Sequence, residues 1–224
     1  MGSKMLTGSM LLGGMILGII MVFVEPSVSE SDSFAVAIQQ LLDNSTQARL
    51  AGVGFTIAIL GALIGIVYLA RSMQGEQKPG SDLAGLASVF AFLAAAVITV
   101  SAGIQLSLMD ASYADRGGDV ANAYAIAEGL GLSMFGLIGA SMFLLGIAIV
   151  RQKNLNQIVG GLTALSGAFF LFGMLMPGGD PSLAETSTAE AIGGISWFIG
   201  FLSWIIMTMA LGILTILSAR KNAT

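Results

Sequence analysis

The sequence predicts an all-α protein, a polytopic integral membrane bundle of six helices with short amphipathic helices on its outer side. Three observations carry that prediction. From Leu50 to Ala70 no residue has a formal charge, and Arg71 closes the run; an apolar stretch of about 20 residues crosses ~30 Å of hydrocarbon as a helix. Five other stretches repeat the plan. Of the 224 residues, 55% are hydrophobic and 10% charged, where a water-soluble domain carries about 25% charged residues. With so little charge, and a mean hydropathy of +0.89, the chain cannot coat a water-facing surface, so one membrane domain over 1–224 is expected rather than two soluble ones.

The spans are expected at 5–24, 50–70, 83–108, 129–150, 158–176 and 191–219. Met5–Val24 follows Lys4 as a signal sequence would. Its apolar run exceeds the usual signal core, however, and VFVEPSV lacks a small-x-small cleavage pattern, so a retained helix is expected. In the polar stretch after it, Phe34, Ile38, Leu41 and Leu42 share one helical face. Ser31 or Ser33 could cap this short helix and Asn44 could end it. It should lie on the membrane surface, across the bundle mouth, or as a loop helix against its neighbours.

The second span carries Gly52, Gly54, Gly61 and Gly65, residues suited to close packing of membrane helices. Lys78-Pro79-Gly80 breaks the chain before the Ala- and Val-rich third span. Gly117-Gly118 marks a turn. Val120–Glu128 should extend the fourth span as helix, and the polar turn Arg151–Gln157 makes spans four and five antiparallel neighbours. Pro177-Gly178-Gly179 stops the fifth span, and Ser182–Glu190 should lead helically into the sixth. There Trp197 and Trp204 are expected to anchor near one interface.

If the chain starts in the cytoplasm and alternates sides, Lys4, Arg71, Lys78, Arg151, Lys153, Arg220 and Lys221 fall inside, leaving only Arg49 and Arg116 of the nine basic residues outside. That asymmetry predicts a cell-membrane protein with both termini cytoplasmic. Of the 13 acids only Glu76 and Asp82 fall inside, so the outer face should be negative, either attracting cations or simply tolerating acids in exported loops. Span two ends LIGIVYLAR and span four LLGIAIVR, a faint parallel repeat of the kind that can flank a transporter site.

The chain has no cysteine and no histidine. This removes disulfides, thiolate metal sites, His-ligated haem and Ser-His or Cys-His nucleophiles. Thirteen methionines are scattered as packing residues. No cofactor and no catalytic residue is expected, and no basic patch points to nucleic acid. No ionisable residue stands in the middle of a span, which argues against proton-coupled or voltage-sensing machinery.

Polar candidates collect at the outer ends. Gln105, with Ser101 and Ser107 beside it, ends span three. Glu128 opens span four with Asn122 and Tyr124 above it, Glu190 opens span six and Glu25 closes span one. Gln105, Glu128 and Glu190 could frame an outer vestibule, with Arg49 pairing Glu25 or Asp43. The competing reading is structural, since acids at helix N-termini are favoured by the helix dipole. Gly14-x-x-x-Gly18 and Gly61-x-x-x-Gly65 are the clearest packing constellation, serving helix contacts within the chain or a subunit interface.

The run RLAGVGFTIAILGALIGIVYLA after LLDNSTQA, and FGLIGASMFLLGIAIVRQKNLNQIVGGLTALSGAFFLFGML, resemble small six-span bacterial and archaeal membrane proteins grouped as domain of unknown function 4386. The resemblance implies six helices and an unassigned function, and carries over no site residue. The sequence thus predicts a non-enzymatic membrane protein. An accessory or structural subunit is expected first, with the bilayer and either other membrane subunits or a second copy as partners. A transporter or channel for a small solute or cation, and a sensor of lipid or apolar ligand, are the alternatives.

Overall fold

The computed structural model describes residues 3–27, 33–110, 117–176 and 188–221. Within them the chain forms seven helices and no strand. They are α1 (Lys4–Val24), α2 (Phe34–Asp43), α3 (Ser45–Ser72), α4 (Ser81–Leu108), α5 (Val120–Gln152), α6 (Gln157–Leu175) and α7 (Thr188–Lys221). All but α2 are long and apolar enough to cross a membrane. The turn at Pro177-Gly178-Gly179 and most of the Ser182–Glu190 lead-in lie outside the described residues.

Local chemistry sets the helix ends. Ser3 accepts from the Leu6 amide at 3.1 Å, Ser33 from Val36 at 3.4 Å, Asp119 from Asn122 at 3.1 Å and Asn156 from Ile158 at 2.9 Å. Each side chain satisfies an amide that the first turn leaves without a helical partner. Asn44 both ends α2 and precedes α3. Gly80, before α4, takes φ +77°, where a side chain would be strained. α5 runs unbroken from Val120 through Glu128 into the span, as the extension read from the sequence requires.

Short connections make consecutive spans antiparallel neighbours. α1 packs on α3, α3 on α4, α4 on α5, α5 on α6 and α6 on α7, and α7 returns to α1. The six spans therefore close a ring. Lys4 Nζ donates to Ser218 Oγ at 3.3 Å, which places both chain ends on one face. Gln152 Nε2 donates to the Met73 carbonyl at 2.6 Å, bringing the basic ends of α3 and α5 together on that same face. Hereafter this is the terminal face; the other is the α2 face.

Small residues form the seams. The two glycine pairs face each other across α1 and α3. A Cβ on Gly14 would stand 2.6 Å from the Ala58 carbonyl oxygen, and one on Gly65 would stand 2.8 Å from Leu11 Cγ, whereas Gly18 and Gly61 have ordinary clearance. On the α5–α6 seam a Cβ on Gly167 would strike the Phe143 amide and the Gly139 carbonyl. Lipid tails are as apolar as the helices, so close packing and interhelical hydrogen bonds, rather than expulsion from water, hold such seams. Buried hydroxyls add cross-links: Ser141 Oγ donates to the Ala87 carbonyl at 2.8 Å, Ser101 to Ala127 at 3.0 Å and Ser166 to Gly200 at 3.3 Å.

One expectation is overturned. Trp204 is 1% exposed, and Trp197 is half-buried and packed against the core instead of standing out as an anchor. Both join Phe135, Phe170 and Phe201 in a five-ring cluster, with Phe135 in contact with all four others at centroid distances of 5.6–6.3 Å. The interface rule places a tryptophan by depth alone. Here α7 turns both indoles inward, where edge-on and stacked ring contacts fill the ring between α5, α6 and α7.

Candidate functional site

The α2 face is clamped by polar side chains on helix ends. Glu25 follows the last turn of α1, its amide bonded to the Met21 carbonyl at 3.0 Å. Gln47 Nε2 donates to the Val24 carbonyl at 2.7 Å, fastening the end of α1 to the start of α3. Arg49 donates to the Met109 carbonyl at 2.5 Å, fastening α3 to the end of α4. α2 lies across these ends. Its Ile38 and Leu41, each 5% exposed, pack with Ala48, Leu108 and Met109, and Phe34 meets Tyr124 edge-on at 6.0 Å. The apolar face read from the sequence thus caps the mouth of the bundle beside α3, α4 and α5.

Beside this clamp a pocket of about 190 Å³ enters the ring between α1, α3, α4 and α5. Glu25 and Glu128 stand at its rim, Gln105, Ser101 and Thr56 supply polar walls, and Phe135 belongs to its lining. Gln105 Nε2 donates to Glu128 Oε1 at 3.2 Å. Tyr124 stands one turn above Glu128 on α5. Ser101 and Thr56 bond backbone carbonyls of Ala127 and Gly52, so the side chains left to meet a guest are the two carboxylates and the Gln105 amide oxygen. Among the described residues no lysine or arginine lines the pocket. Phe135, which centres the aromatic cluster, is also part of the pocket's lining.

The electrostatics follow from this arrangement. Glu25 is exposed at the surface of the fold, yet its carboxyl is held above the ordinary carboxylate range. The main cause is the protein packed round it, and the second is the Glu128 carboxylate facing it. Two acids in the lining of one pocket favour a guest with positive charge.

Of the vestibule candidates, Gln105, Glu128 and Glu25 line one pocket. Arg49 does not join them: its guanidinium reaches the Met109 carbonyl, and the charge that Glu25 senses is that of Glu128, not of a cation. Glu190 stands in the first turn of α7, and its side chain lies outside the described residues. Sequence reading missed Thr56, Phe55 and Phe135. Phe135 was within reach, since positions 128, 131 and 135 share one face of α5, but nothing on that face says that it turns toward α1.

A larger, open depression of about 490 Å³ lies on the outside of the α5–α6 seam, lined by Phe143, Ile158, Leu162 and Leu165. Among the described residues its lining carries no charged or hydrogen-bonding side chain. Among the described residues no group of three acids is placed to hold a metal ion.

The sequence profile of the family described as Domain of unknown function (DUF4386) matches residues 6–216. No curated protein and no solved structure matches the chain.

Proposed function

The chain belongs to the DUF4386 family, whose match runs through all six spans, and from that premise we propose that it is a non-enzymatic membrane protein that binds and carries a small cationic solute, admitted at the α2 face. The observation that supports this reading is the Glu25–Glu128 pair in the lining of one pocket, with Gln105 bonded to one carboxylate and Phe135 in the same lining. A carboxylate pair offers charge neutralisation and hydrogen-bond acceptance together, and an aromatic side chain in the lining offers a ring to a cation. In the orientation proposed, the terminal face, which gathers Lys4, Arg71, Arg151 and Arg220, is cytoplasmic and the pocket faces outward in the cell membrane.

The accessory-subunit role expected from the sequence rested on the missing mid-membrane charges, the missing cofactor ligands and the small-residue faces. Of these faces, Gly14 and Gly65 are packed within the chain's own α1–α3 seam. The apolar trough on α5 and α6 favours a second reading, a bundle that seats a lipid chain and senses it.

The experiment is uptake of methylammonium by proteoliposomes, with glycerol as the neutral comparison. Saturable methylammonium uptake that falls at least about tenfold in Glu128→Gln supports the carrier. Uptake equal to that of empty liposomes, or unchanged in both Glu128→Gln and Gln105→Ala, sinks it. Native mass spectrometry from mild detergent tests the second reading, since a retained lipid lost in Leu162→Ser would favour it.

A further inference from the structure

Threonines inside these helices follow one habit, and Thr208 breaks it. Thr7, Thr56, Thr99, Thr163 and Thr215 each donate their hydroxyl to the carbonyl four residues earlier, at 2.7–3.2 Å. This bond is the ordinary way for a helical hydroxyl to be satisfied away from water. Thr208, at 0% exposure, makes no such bond to Trp204, and its Oγ1 is buried without a hydrogen-bond partner. One turn earlier on the same face of α7, Trp204 is 1% exposed and its Nε1 is equally buried and unpartnered. Buried polar groups of this kind are normally bonded to protein or to ordered water. Trp197 Nε1, two turns earlier on α7, is buried without a partner as well, but only Trp204 and Thr208 stand one turn apart on one face of the helix.

We propose that Trp204 and Thr208 form an inner polar site that binds one water molecule inside the bundle. The chemistry selects the occupant. An indole N–H can only donate, so the guest must accept. A hydroxyl donates or accepts, so it bonds either lone pair or proton of the same guest. Both side chains are sealed from the surface, so the guest is small. Water meets all three conditions and satisfies both groups at once. The Phe135 and Trp204 rings stand 6.3 Å apart edge to face, so a residue that lines the pocket also touches the indole of the inner site. The inference does not depend on what the pocket binds.

The chain has two tryptophans, so Trp197→Phe leaves Trp204 as its lone indole. Ultraviolet resonance Raman spectra of that variant in nanodiscs read the hydrogen bonding of the Trp204 N–H directly, and the difference between the unaltered protein and Trp204→Phe reads the same group without touching Trp197. The expected result is a hydrogen-bonded indole in both measurements. The band should shift toward the free N–H in Thr208→Val and stay in place in Thr208→Ser, which keeps the hydroxyl. Transfer into D2O should exchange the indole proton, since a bound water is replaced from bulk. A free-indole signature in the Trp197→Phe protein overturns the proposal, as does a bonded signature indifferent to Thr208→Val. If Glu128→Gln abolishes solute binding while the Raman signature persists, the pocket reading and the inner site are separated.

Discussion

The side-chain amide of Gln105 on α4 donates to the carboxylate of Glu128 on α5 at 3.2 Å. This one bond joins two residues that the sequence holds 23 positions apart and turns a helix-end glutamine and a helix-end acid into one wall of a pocket.

The first expectation concerns that wall. Glu128→Gln keeps the shape and removes the charge, and should weaken methylammonium binding by about tenfold or more, the ~1.4 kcal/mol that separates a charge-assisted from a neutral hydrogen bond. Gln105→Ala leaves the charge but frees the carboxylate to rotate, so its effect should be smaller. Isothermal titration on both variants checks the order.

The second concerns pH. Glu25 is held above the ordinary carboxylate range by burial first and by Glu128 second. Below that range the folded and unfolded chains both hold the proton, and Glu25 contributes nothing to the pH dependence. Above its raised value both have lost it, and the folded state carries the full cost of the shielded charge. In between, the folded chain binds more protons, so stability falls as pH rises from the ordinary carboxylate range through the raised value. Thermal midpoints measured across that interval should decline in the unaltered protein and flatten in Glu25→Gln.

The third separates four glycines that look alike in sequence. Gly14→Ala drives a Cβ against the Ala58 backbone and Gly65→Ala drives one into Leu11, while Gly18→Ala and Gly61→Ala enter ordinary contact distance. The first two should lose about 1–3 kcal/mol through overpacking, and the second two should stay within about 0.5 kcal/mol. Steric-trapping or denaturant unfolding in bicelles gives the four values.

The fourth concerns the α4–α5 seam. Ser141 is fully buried, and its hydroxyl is bonded to the Ala87 carbonyl at 2.8 Å. Ser141→Ala should cost about 0.5–1.5 kcal/mol. Ser88→Ala should cost less, because Ser88 donates only to the Gly85 carbonyl of its own helix. The same unfolding assay compares them.

Much of this was legible before any coordinates. The six spans, the helical extension above Glu128, the apolar face of α2 and the closeness of α5 to α6 follow from charge-free length, periodicity and a short turn. Gln105 and Glu128 could be named because polar residues near the ends of apolar spans are few. The partner of Arg49 was not legible, since a backbone carbonyl such as that of Met109 leaves no trace in side-chain chemistry. Neither was the inward placement of Trp197 and Trp204, since an indole near a span end satisfies the interface rule and the core equally.

The chain's own composition settles that it lives in a bilayer, because a helix in hydrocarbon must satisfy its backbone internally and cover itself with apolar side chains, and both demands are written residue by residue. Which side of each helix faces inward is a different kind of fact. With lipid as apolar as leucine, hydrophobicity no longer separates inside from outside. Only the packing of the helices against one another decided that Phe135 lines a pocket with Glu25 and Glu128, and that Thr208 is sealed beside Trp204 without a bond of its own.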